Sequence, residues 1–446
     1  MQFRKNISTL KVHHNKHTAG CKPIRVAPPK EVLLPMNMHS GSPAEPIVAV
    51  GDYVRVGQLI AKPGEGMSCP VHATVSGTVS AIEPMKQADG RSALTIKIES
   101  DGKMEQDPNL KPPVFDDVDG FLAAVKDSGV VGLGGAAFPL WGKLDAIRKN
   151  QIDTVLVNAA ECEPYITSDT RMMVDHTELV VKGVHLLHKW MNAKKVVICI
   201  EDNKQEAIDK LREALAGEDW AEIFILPAIY PQGAKQVLLY NVTGQVVKGG
   251  QRMASLGVII INVSSTAKMA QYMETGMPLV DRIVTIDGSA VKEPKNLIAP
   301  IGTPISYLVE QAGGLSCEPG KVLIGGPMLG AAVASMDEPS KKATNSLLFL
   351  TQKEAKIYEP TACIRCGRCV ANCPVSLNPA ALARAAELED EDQRFIRLQE
   401  YSIGQCIECA CCSYVCPAHK PLMAQHLQSK RFVKKYKAEH TTEGRK

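Results

Sequence analysis

The 446-residue sequence has few aromatic side chains, little net charge and no long apolar segment. Only 5% of its residues are aromatic, which disfavours a surface that stacks nucleic-acid bases. The formal net charge is only +3, so nothing in the charge implies nucleic-acid binding. No apolar run approaches the roughly 18 residues that span a bilayer, and residues 1–17 lack the apolar core of a signal peptide. We therefore expect a cytoplasmic protein, which can still associate with a membrane protein.

Eight cysteines form two runs with the same spacing, C-x2-C-x2-C-x3-C-P. The first run is Cys363, Cys366, Cys369 and Cys373, and the second is Cys406, Cys409, Cys412 and Cys416. This spacing is typical of bacterial two-cluster ferredoxins, in which the fourth cysteine of each run binds the cluster of the other run. The pattern predicts two [4Fe–4S] clusters, one bound by Cys363, Cys366, Cys369 and Cys416, and the other by Cys406, Cys409, Cys412 and Cys373.

Zinc and disulfide bonds explain these runs less well. Zinc sites commonly use two CxxC pairs, and zinc gives no reason for a repeated four-cysteine run that ends in proline. Disulfide bonds fit poorly with the adjacent Cys411 and Cys412 and with a cytoplasmic chain. Cys411 lies outside the repeated pattern, and we interpret it as a packed or weakly exposed thiol.

Residues 1–110 have the pattern of a β-rich domain. Residues 51–66 and 71–84 alternate apolar and small residues, with glycines at turn spacing. They look like the two halves of a biotinyl or lipoyl carrier domain, but Met85-Lys86 only partly matches the lysine-bearing hairpin tip of a carrier. We therefore interpret this region as a structural docking domain. The nearby His13, His14, His17 and Cys21 match no common metal site, which favours a polar surface loop.

A glycine-rich segment follows a predicted helix. Gly132, Gly134 and Ala137 formally fit the pattern G-x-G-x-x-A, but a dinucleotide-binding fingerprint needs a strand before the glycines and a helix after them. Here the preceding segment is predicted to be helical and Pro139 follows closely, so we exclude a standard Rossmann site. Two interpretations remain: a glycine loop whose backbone lies against a phosphate or ring, with Lys143 supplying positive charge, or a flexible turn.

From about residue 151 the pattern becomes α/β. Strands are predicted at 152–157, 195–200, 222–226 and 257–263, with helices at 177–190 and 204–215. Cofactors of open α/β sheets bind beyond the carboxyl ends of the strands. Polar groups follow four of these ends, namely Asn158 with Glu161 and Glu163, Glu201 with Asp202, Tyr230 with Gln232 and Gly233, and Asn262 with Ser265. Each group alone is compatible with a solvated loop, but together with the glycine loop they favour one nucleotide-sized pocket.

The remaining segments predict two smaller modules. Residues 281–330 read as strand, helix and strand with glycine breaks, and a last strand lies within 331–355. Between the cysteine runs, Asn378 can cap a helix that has Pro379 in its first turn, which predicts a helical cluster domain. The basic residues beyond it are interpreted as a solvated helix end, with contact to an anionic membrane surface as the alternative; they are Lys430, Arg431, Lys434, Lys435 and Lys437.

Over nearly its whole length the sequence resembles the C subunits of Rnf electron-transport complexes, and its middle is similar to the flavin subunit of respiratory complex I. Residues 132–139 with Lys143 resemble the flavin and nucleotide loop of the latter family, and residues 158–164 match its N-A-x-E-x-E-P motif. Residues 281–330 resemble its soluble-ligand-binding β-grasp module. The resemblance implies FMN and NADH/NAD+ as ligands, in addition to the two clusters.

The resemblance also implies roles for individual residues. Asn158 and Glu161 would bind FMN, whereas Glu163 and Phe138 would face the nicotinamide nucleotide. The other flavin and phosphate contacts would come from Gly132, Gly134, Gly135, Lys143, Tyr230, Gly233, Asn262 and Ser265. The sequence departs from the complex I pattern at four positions, where arginine, aspartate, glutamate and threonine are expected: Leu133, Ala160, Lys235 and Ser265.

The implied fold is a multidomain α/β and α+β protein. A β-rich barrel-sandwich domain (1–110) would precede a Rossmann-like FMN/NADH domain (111–275) and a β-grasp module (276–355). A helical ferredoxin-like domain with both clusters (356–430) and a basic tail (431–446) would follow. The implied function is that of the peripheral NADH-oxidising subunit of an ion-translocating ferredoxin:NAD+ oxidoreductase, on the cytoplasmic face of the membrane. Ferredoxin would be reached through the other subunits of the complex.

Two alternatives remain open. The first is a soluble NADH-dependent flavin and iron–sulfur reductase, similar to cobalamin reductases, which the β-rich N-terminal domain disfavours. The second is a non-catalytic electron relay whose flavin pocket has decayed, an interpretation that Ala160 and Lys235 motivate.

Overall fold

The computed structural model describes residues 10–87, 90–248 and 250–440, and these residues form two compact units. The first unit contains the chain up to His13, the segment Pro227–Gln251 and the chain from Lys356 onward. The second unit contains His14–Leu226 and Arg252–Ala355. Residues 1–9 of the predicted N-terminal domain and residues 441–446 of the predicted basic tail lie outside the described residues.

The β-rich domain of the second unit contains two small sheets. The strands of this part of the chain are β1 (Ile24–Arg25), β2 (Glu31–Pro35), β3 (Glu45–Pro46), β4 (Tyr53–Val54), β5 (Leu59–Lys62), β6 (Val71–His72), β7 (Gly77–Lys86) and β8 (Ser92–Ser100). One sheet has the order β2-β8-β7-β4 and the other β3-β5-β6. The inward side chains of both sheets, such as Val32, Val54 and Ile60, belong to one hydrophobic core.

The predicted flavin domain is built on a four-stranded parallel sheet. Its elements in order are α1 (Val118–Asp127), α2 (Leu140–Leu144), β9 (Thr154–Ala159), α3 (Ser168–Asp175), α4 (Thr177–Trp190), β10 (Lys195–Glu201), α5 (Gln205–Ala214), β11 (Ala221–Leu226), α6 (Lys235–Thr243), β12 (Val258–Asn262) and α7 (Val263–Thr275). The strand order is β11-β10-β9-β12, and every neighbouring pair is parallel. The nearly continuous apolar runs of β9, β10 and β12 are buried, as expected for strands of a parallel sheet.

The structure differs from the sequence-based domain limits within this region. Helix α6 and the rest of Pro227–Gln251 belong to the first unit, whereas the sequence assigned 111–275 to one domain. The glycine loop lies between α1 and α2 and has no strand before it, in agreement with the exclusion of a standard Rossmann site.

The β-grasp module has a six-stranded mixed sheet. Its elements are β13 (Asp281–Asp287), β14 (Lys295–Pro300), α8 (Ile305–Gln311), β15 (Lys321–Ile324), β16 (Ala331–Ala332) and β17 (Ser346–Leu350), and the sheet order is β1-β14-β13-β17-β15-β16. Strand β1 therefore leaves the N-terminal domain to pair in parallel with β14, where Ile24 lies opposite Leu297. A two-residue strand has too little pattern to be assigned from sequence, and its pairing covers the edge of β14.

The cysteine-containing part of the first unit is helical. Its helices are α9 (Arg368–Ala371), α10 (Pro379–Ala386), α11 (Glu391–Glu400), α12 (Cys411–Tyr414) and α13 (Leu422–His440). The side chain of Asn378 accepts a hydrogen bond from Ala381 N at 3.0 Å, which confirms the predicted cap of α10. Helix α13 carries the basic residues that the sequence placed in a tail. Within the described residues, no helix has both the length and the apolar character of a membrane span.

Candidate functional site

Two asparagines lie side by side at the carboxyl edge of the parallel sheet. Asn158, near the end of β9, lies opposite Asn262, the last residue of β12. Asn262 caps α7, because its Oδ1 accepts a hydrogen bond from Ser265 N at 3.1 Å. Asn158 Oδ1 accepts one from Ala160 N at 3.1 Å. The amino end of the 13-residue helix α7 thus faces the edge where open α/β sheets bind cofactors, and such a helix end attracts phosphate.

The glycine loop is bonded to this helix end. Leu133 N donates to Ser265 Oγ at 2.9 Å, and Ser265 Oγ donates to Val131 O at 2.9 Å. A Cβ atom on the exposed Gly134 would lie 3.2 Å from Asn262 Nδ2, tight enough to displace that amide. Gly135 has a φ of +109°, and a Cβ atom there would meet nothing within 4 Å. The loop therefore presents bare backbone beside Asn262, which fits a bound phosphate or flavin ring.

The loop itself is closed by its own backbone. Gly132 N donates to Phe138 O at 2.8 Å, and Ala137 N donates to Gly132 O at 3.1 Å. Phe138 is half-buried, and Lys143 follows on α2 and is also half-buried. The structure thus places Gly134 against Asn262, while the neighbouring Val131 and Leu133 bond to Ser265.

Two buried cationic side chains of the β-grasp module, Arg282 and Lys342, donate hydrogen bonds to backbone carbonyls in the glycine loop and just before it. Lys342 Nζ donates to Gly129 O at 2.9 Å and to Pro70 O at 2.7 Å. A guanidinium nitrogen of Arg282 donates to Leu133 O at 3.2 Å, and another donates to Lys342 O at 2.7 Å. Burial lowers the pKa of Lys342 to about 8. Sequence reasoning missed both residues, because nothing local links them to the loop.

Glu161, a predicted flavin ligand, caps helix α3. Its carboxylate accepts hydrogen bonds from Asp169 N at 2.7 Å, Thr170 N at 3.2 Å and Thr170 Oγ1 at 2.7 Å. Burial raises the pKa of Glu161, although the nearby Lys16 ammonium opposes the shift. The neighbouring Asp169 accepts a hydrogen bond from Asn262 Nδ2 at 2.6 Å and another from Ser264 Oγ. Asp169, which the sequence did not single out, therefore links α3 to the amino end of α7.

The segment that carries Glu161 and Glu163 is tied down by Lys16. Lys16 Nζ donates to the carbonyl oxygens of Glu161, Glu163 and Ile166, at 2.7, 2.8 and 2.5 Å. Burial lowers the pKa of this ammonium group. The stretch around position 16, which the sequence suggested to be a polar surface loop, therefore fixes the backbone of the segment that contains Glu161 and Glu163. His17 Nδ1 of the same stretch lies 3.0 Å from Asp287 Oδ1.

Glu163 has an unpartnered carboxyl oxygen. Its Oε2 accepts a hydrogen bond from Met328 N at 3.2 Å, whereas its Oε1 is buried and has no partner among the described residues. A Cβ atom on Gly326 would lie 2.1 Å from Oε2, so only glycine leaves room for this carboxyl. Burial raises the pKa of Glu163 to about 7. A buried orphan acceptor in the predicted nicotinamide-facing position fits a ligand that supplies a hydrogen bond.

We predict that Glu163→Gln stabilises the protein at alkaline pH. The pKa of Glu163 is raised from 4.5 to about 7 in the folded state. The free energy of unfolding therefore falls as the pH rises from about 4.5 to about 7, and the full loss of stability is reached above pH 7. The neutral amide avoids a penalty of at most on the order of 3 kcal/mol. The melting temperature of the variant should exceed that of the wild type at pH 8.5 and match it near pH 4.5. The exposed Glu213→Gln on α5 is the control; an equal difference at both pH values would contradict the prediction.

In the first unit, cysteines of both runs line one cavity. Cys373 of the first run and Cys406, Cys409 and Cys412 of the second lie around it. Leu377 N donates to Cys373 Sγ at 3.3 Å. This grouping fits the predicted exchange of the fourth cysteine between the two runs. Burial raises the pKa of Cys369, and a charge on Cys416 raises it further, so these two thiols, assigned to the other cluster, are also neighbours.

The two runs repeat the same backbone conformation. The positive φ angles are 55° and 58° at Arg365 and Glu408, and 74° and 59° at Gly367 and Ala410. Helices α9 and α12 each begin one residue before the third cysteine of their run, and α10 and α13 begin at the same distance after the proline. No group of three or more His, Cys, Asp or Glu among the described residues is arranged to hold a metal ion. The four cysteines that bind a cubane lie farther apart than the ligands of a single metal ion, because each cysteine binds a different iron atom.

Tyr230, another predicted flavin contact, is bonded to a cluster loop. Its hydroxyl donates to Cys409 O at 2.9 Å, and its backbone N donates to Leu10 O at 2.9 Å. Tyr230, Gly233 and Lys235 all lie in the first unit with the cysteine runs, whereas the other predicted flavin contacts lie in the second. Burial lowers the pKa of Lys235. The sequence placed Tyr230 at a strand end and, through resemblance, at the flavin, and neither interpretation gave a sign of its bond to Cys409.

Four family models match successive parts of the chain. They are the RnfC barrel-sandwich hybrid domain over residues 3–103, the Nuo51 FMN-binding domain over 125–271, the SLBB domain over 283–332 and a 4Fe–4S dicluster domain over 359–420. The predicted multidomain fold is confirmed. The fold and the site residues define a class, the electron-transfer proteins that combine an FMN-binding domain with iron–sulfur domains.

Curated relatives show the family. The C subunit of the Na+-translocating ferredoxin:NAD+ oxidoreductase complex of Acetobacterium woodii is 41% identical over 80% of this chain and 82% of that protein. The C subunit of the proton-translocating complex of Clostridium ljungdahlii is 38% identical over 82% of this chain and 81% of that protein. The chain therefore belongs to the family of C subunits of Rnf ion-translocating oxidoreductase complexes.

A solved structure is similar to part of the chain. The crystal structure of an NAD+-reducing [NiFe]-hydrogenase in the H2-reduced state is 20% identical, with a TM-score of 0.45. The match covers 66% of the present chain and 52% of the hydrogenase chain.

Proposed function

We propose that this chain is the NADH-oxidising subunit of a membrane-bound ferredoxin:NAD+ oxidoreductase, placed on its cytoplasmic face and containing FMN and two [4Fe–4S] clusters. The observation that carries the proposal is the glycine loop bonded to Ser265 beside Asn262, in a chain that also contains the repeated cysteine loops. Membership in the Rnf C-subunit family supports the assignment to such a complex.

Different residues at the edge of the sheet would bind FMN and the nicotinamide nucleotide. The glycine loop, Asn262 and the amino end of α7 would hold the phosphate and ring of FMN, and the Glu163 carboxyl would accept a hydrogen bond from the nicotinamide nucleotide. When bound, FMN supplies the exchange between the electron pair of NADH and single electrons. No general base is needed for this exchange, so the work of these residues is positioning.

The cysteine loops would receive the single electrons. Two sets of four cysteines, Cys363, Cys366, Cys369 and Cys416 in one and Cys373, Cys406, Cys409 and Cys412 in the other, would each bind one cubane. The electrons would pass on to other subunits, which would carry out ion translocation and reach ferredoxin. Names of relatives include both sodium and proton translocation.

An anaerobic NADH titration of the reconstituted protein tests this proposal. We expect flavin absorbance and cluster absorbance to bleach together, because electrons would enter at the flavin and spread to the clusters. The Asn262→Leu variant should lose the NADH response, while dithionite still bleaches its clusters. If dithionite reduces the wild-type clusters but NADH reduces neither group, the chain is a relay and the proposal fails.

A further inference from the structure

The two cysteine loops differ in what they expose. Cys363 and Cys366 of the first loop are exposed, whereas Cys406 and Cys409 of the second are half-buried and Cys412 is buried. The cluster assigned to Cys363, Cys366, Cys369 and Cys416 would therefore lie at the surface of the first unit. An electron carrier can approach that cluster closely without moving any part of this unit.

Apolar side chains surround the exposed loop. Ile357 is 79% exposed, Ile364 is 67% exposed and Val370 is 41% exposed. Tyr358 is also exposed and stacks on His419 with the ring centres 4.6 Å apart. Single exposed apolar residues are ordinary, but several of them around one redox centre form a patch of the kind that marks a protein contact.

Positive charge frames this patch. Lys356, Arg365, Arg368 and Lys420 lie in the exposed loop or beside it, and Glu359 is the one acidic residue within 356–370. Among the described residues, no ion pair is formed by Arg365 or Arg368. The surface is therefore electropositive with an apolar centre, which complements a partner with an acidic face.

The second cysteine loop has the same backbone conformation as the first but different side chains at its surface. The position of Arg365 is taken there by Glu408, which forms an ion pair with Lys430, and the position of Arg368 is taken by the buried Cys411. Ile407, the counterpart of Ile364, is half-buried. Because the backbone of the two loops is the same, the exposed arginines and isoleucine are not needed to shape a cluster loop. The first loop therefore differs from the second in its exposed side chains and not in its backbone.

We propose that the surface of Lys356, Ile357, Ile364, Arg365, Arg368 and Val370 docks a one-electron carrier protein with an acidic face. Electrons leave this chain through the cluster of Cys363, Cys366, Cys369 and Cys416. This proposal rests on the proposed function, because it requires the clusters. In the transfer, the cluster loses one electron, the carrier gains one, and no bond or proton changes place. A small polar-rimmed patch is typical of transient electron-transfer contacts.

The test uses two protein acceptors of opposite charge. The reconstituted protein is reduced with dithionite, so that a failure of NADH oxidation leaves the test intact, and is mixed with acidic rubredoxin or basic cytochrome c in a stopped-flow instrument. We expect the second-order rate with rubredoxin to fall steeply as salt is added, because screening weakens the attraction. The rate with cytochrome c should stay constant or rise.

Matched charge reversals locate the surface. Arg365→Glu/Arg368→Glu should slow rubredoxin reduction at least tenfold at low salt, while iron content and cluster midpoint potentials stay unchanged. Arg384→Glu/Arg431→Glu makes the same change in charge at exposed helix positions of the same unit and should slow it less than twofold. Ile364→Ser should slow it without a change in charge.

Three results would overturn the proposal. One is an equal effect of the two double variants, which would reflect net charge alone. Another is a shift in the potential or loss of iron in Arg365→Glu/Arg368→Glu, which would mean that the arginines serve the cluster. The last is a rubredoxin rate that does not depend on salt.

Discussion

Replacing Cys409 with serine is expected to lower the iron content of the reconstituted protein from about eight to about four atoms per chain. Cys409 lies in the cavity with Cys373, Cys406 and Cys412, and a cubane that loses one of four thiolate ligands is no longer held. The other cluster would keep all of its ligands, so half of the iron should remain. Iron analysis and the visible spectrum of the purified variant measure the effect.

Cys411→Ser is the matched control. Cys411 is buried and lines the same cavity as Cys409, but it lies outside the repeated spacing, so its variant should retain about eight iron atoms. Loss of a cluster in Cys411→Ser, or full iron content in Cys409→Ser, would contradict the assignment of ligands.

Double variants test the exchange of the fourth cysteine. Cys373→Ser/Cys409→Ser should keep about four iron atoms, because both residues would serve the same cluster. Cys373→Ser/Cys366→Ser should keep almost none, because the two residues would serve different clusters. The reverse result would mean that each run binds its own cluster with all four of its cysteines.

Replacing Glu161 with alanine is expected to destabilise the FMN-free protein by about 3 kcal/mol. The change removes the acceptor of two backbone N–H groups and one hydroxyl at the start of α3, and it leaves the N–H of Asp169 buried and the two donors of Thr170 half-buried. Loss of a helix cap alone costs about 1 kcal/mol, and the burial of the orphaned donors adds to it. Denaturant unfolding of the FMN-free variant and wild type gives the difference.

The comparison with an exposed glutamate makes this result specific. Glu178 lies in the first turn of α4 and is exposed, so Glu178→Ala should cost much less. If the two variants lose the same stability, the cap is not the main role of Glu161. If Glu161→Ala keeps its stability without FMN and loses only FMN affinity, the carboxylate is a flavin ligand, as the resemblance implied.

The strands and the cysteine loops were predictable because their signals are local. The predicted strand at 195–200 is Lys195–Glu201 in the structure, and that at 257–263 is Val258–Asn262, since buried parallel strands read as short apolar runs. The cap of α10 by Asn378 was equally local. The limits of the domains were less predictable, because β1 and Pro227–Gln251 pack with chain segments far away in sequence.

The sequence by itself determined the class of fold, the spacing of the eight cysteines and the residues that end the parallel strands. Those features depend on periodicity and on residues close together in the chain. The tertiary structure alone decided that Arg282 and Lys342 hold the glycine loop, through hydrogen bonds between residues 149 and 213 positions apart. It also decided that Tyr230 bonds to Cys409, which is 179 positions away. A hydrogen bond between distant segments leaves no periodic mark on either segment, so only the folded chain reveals it.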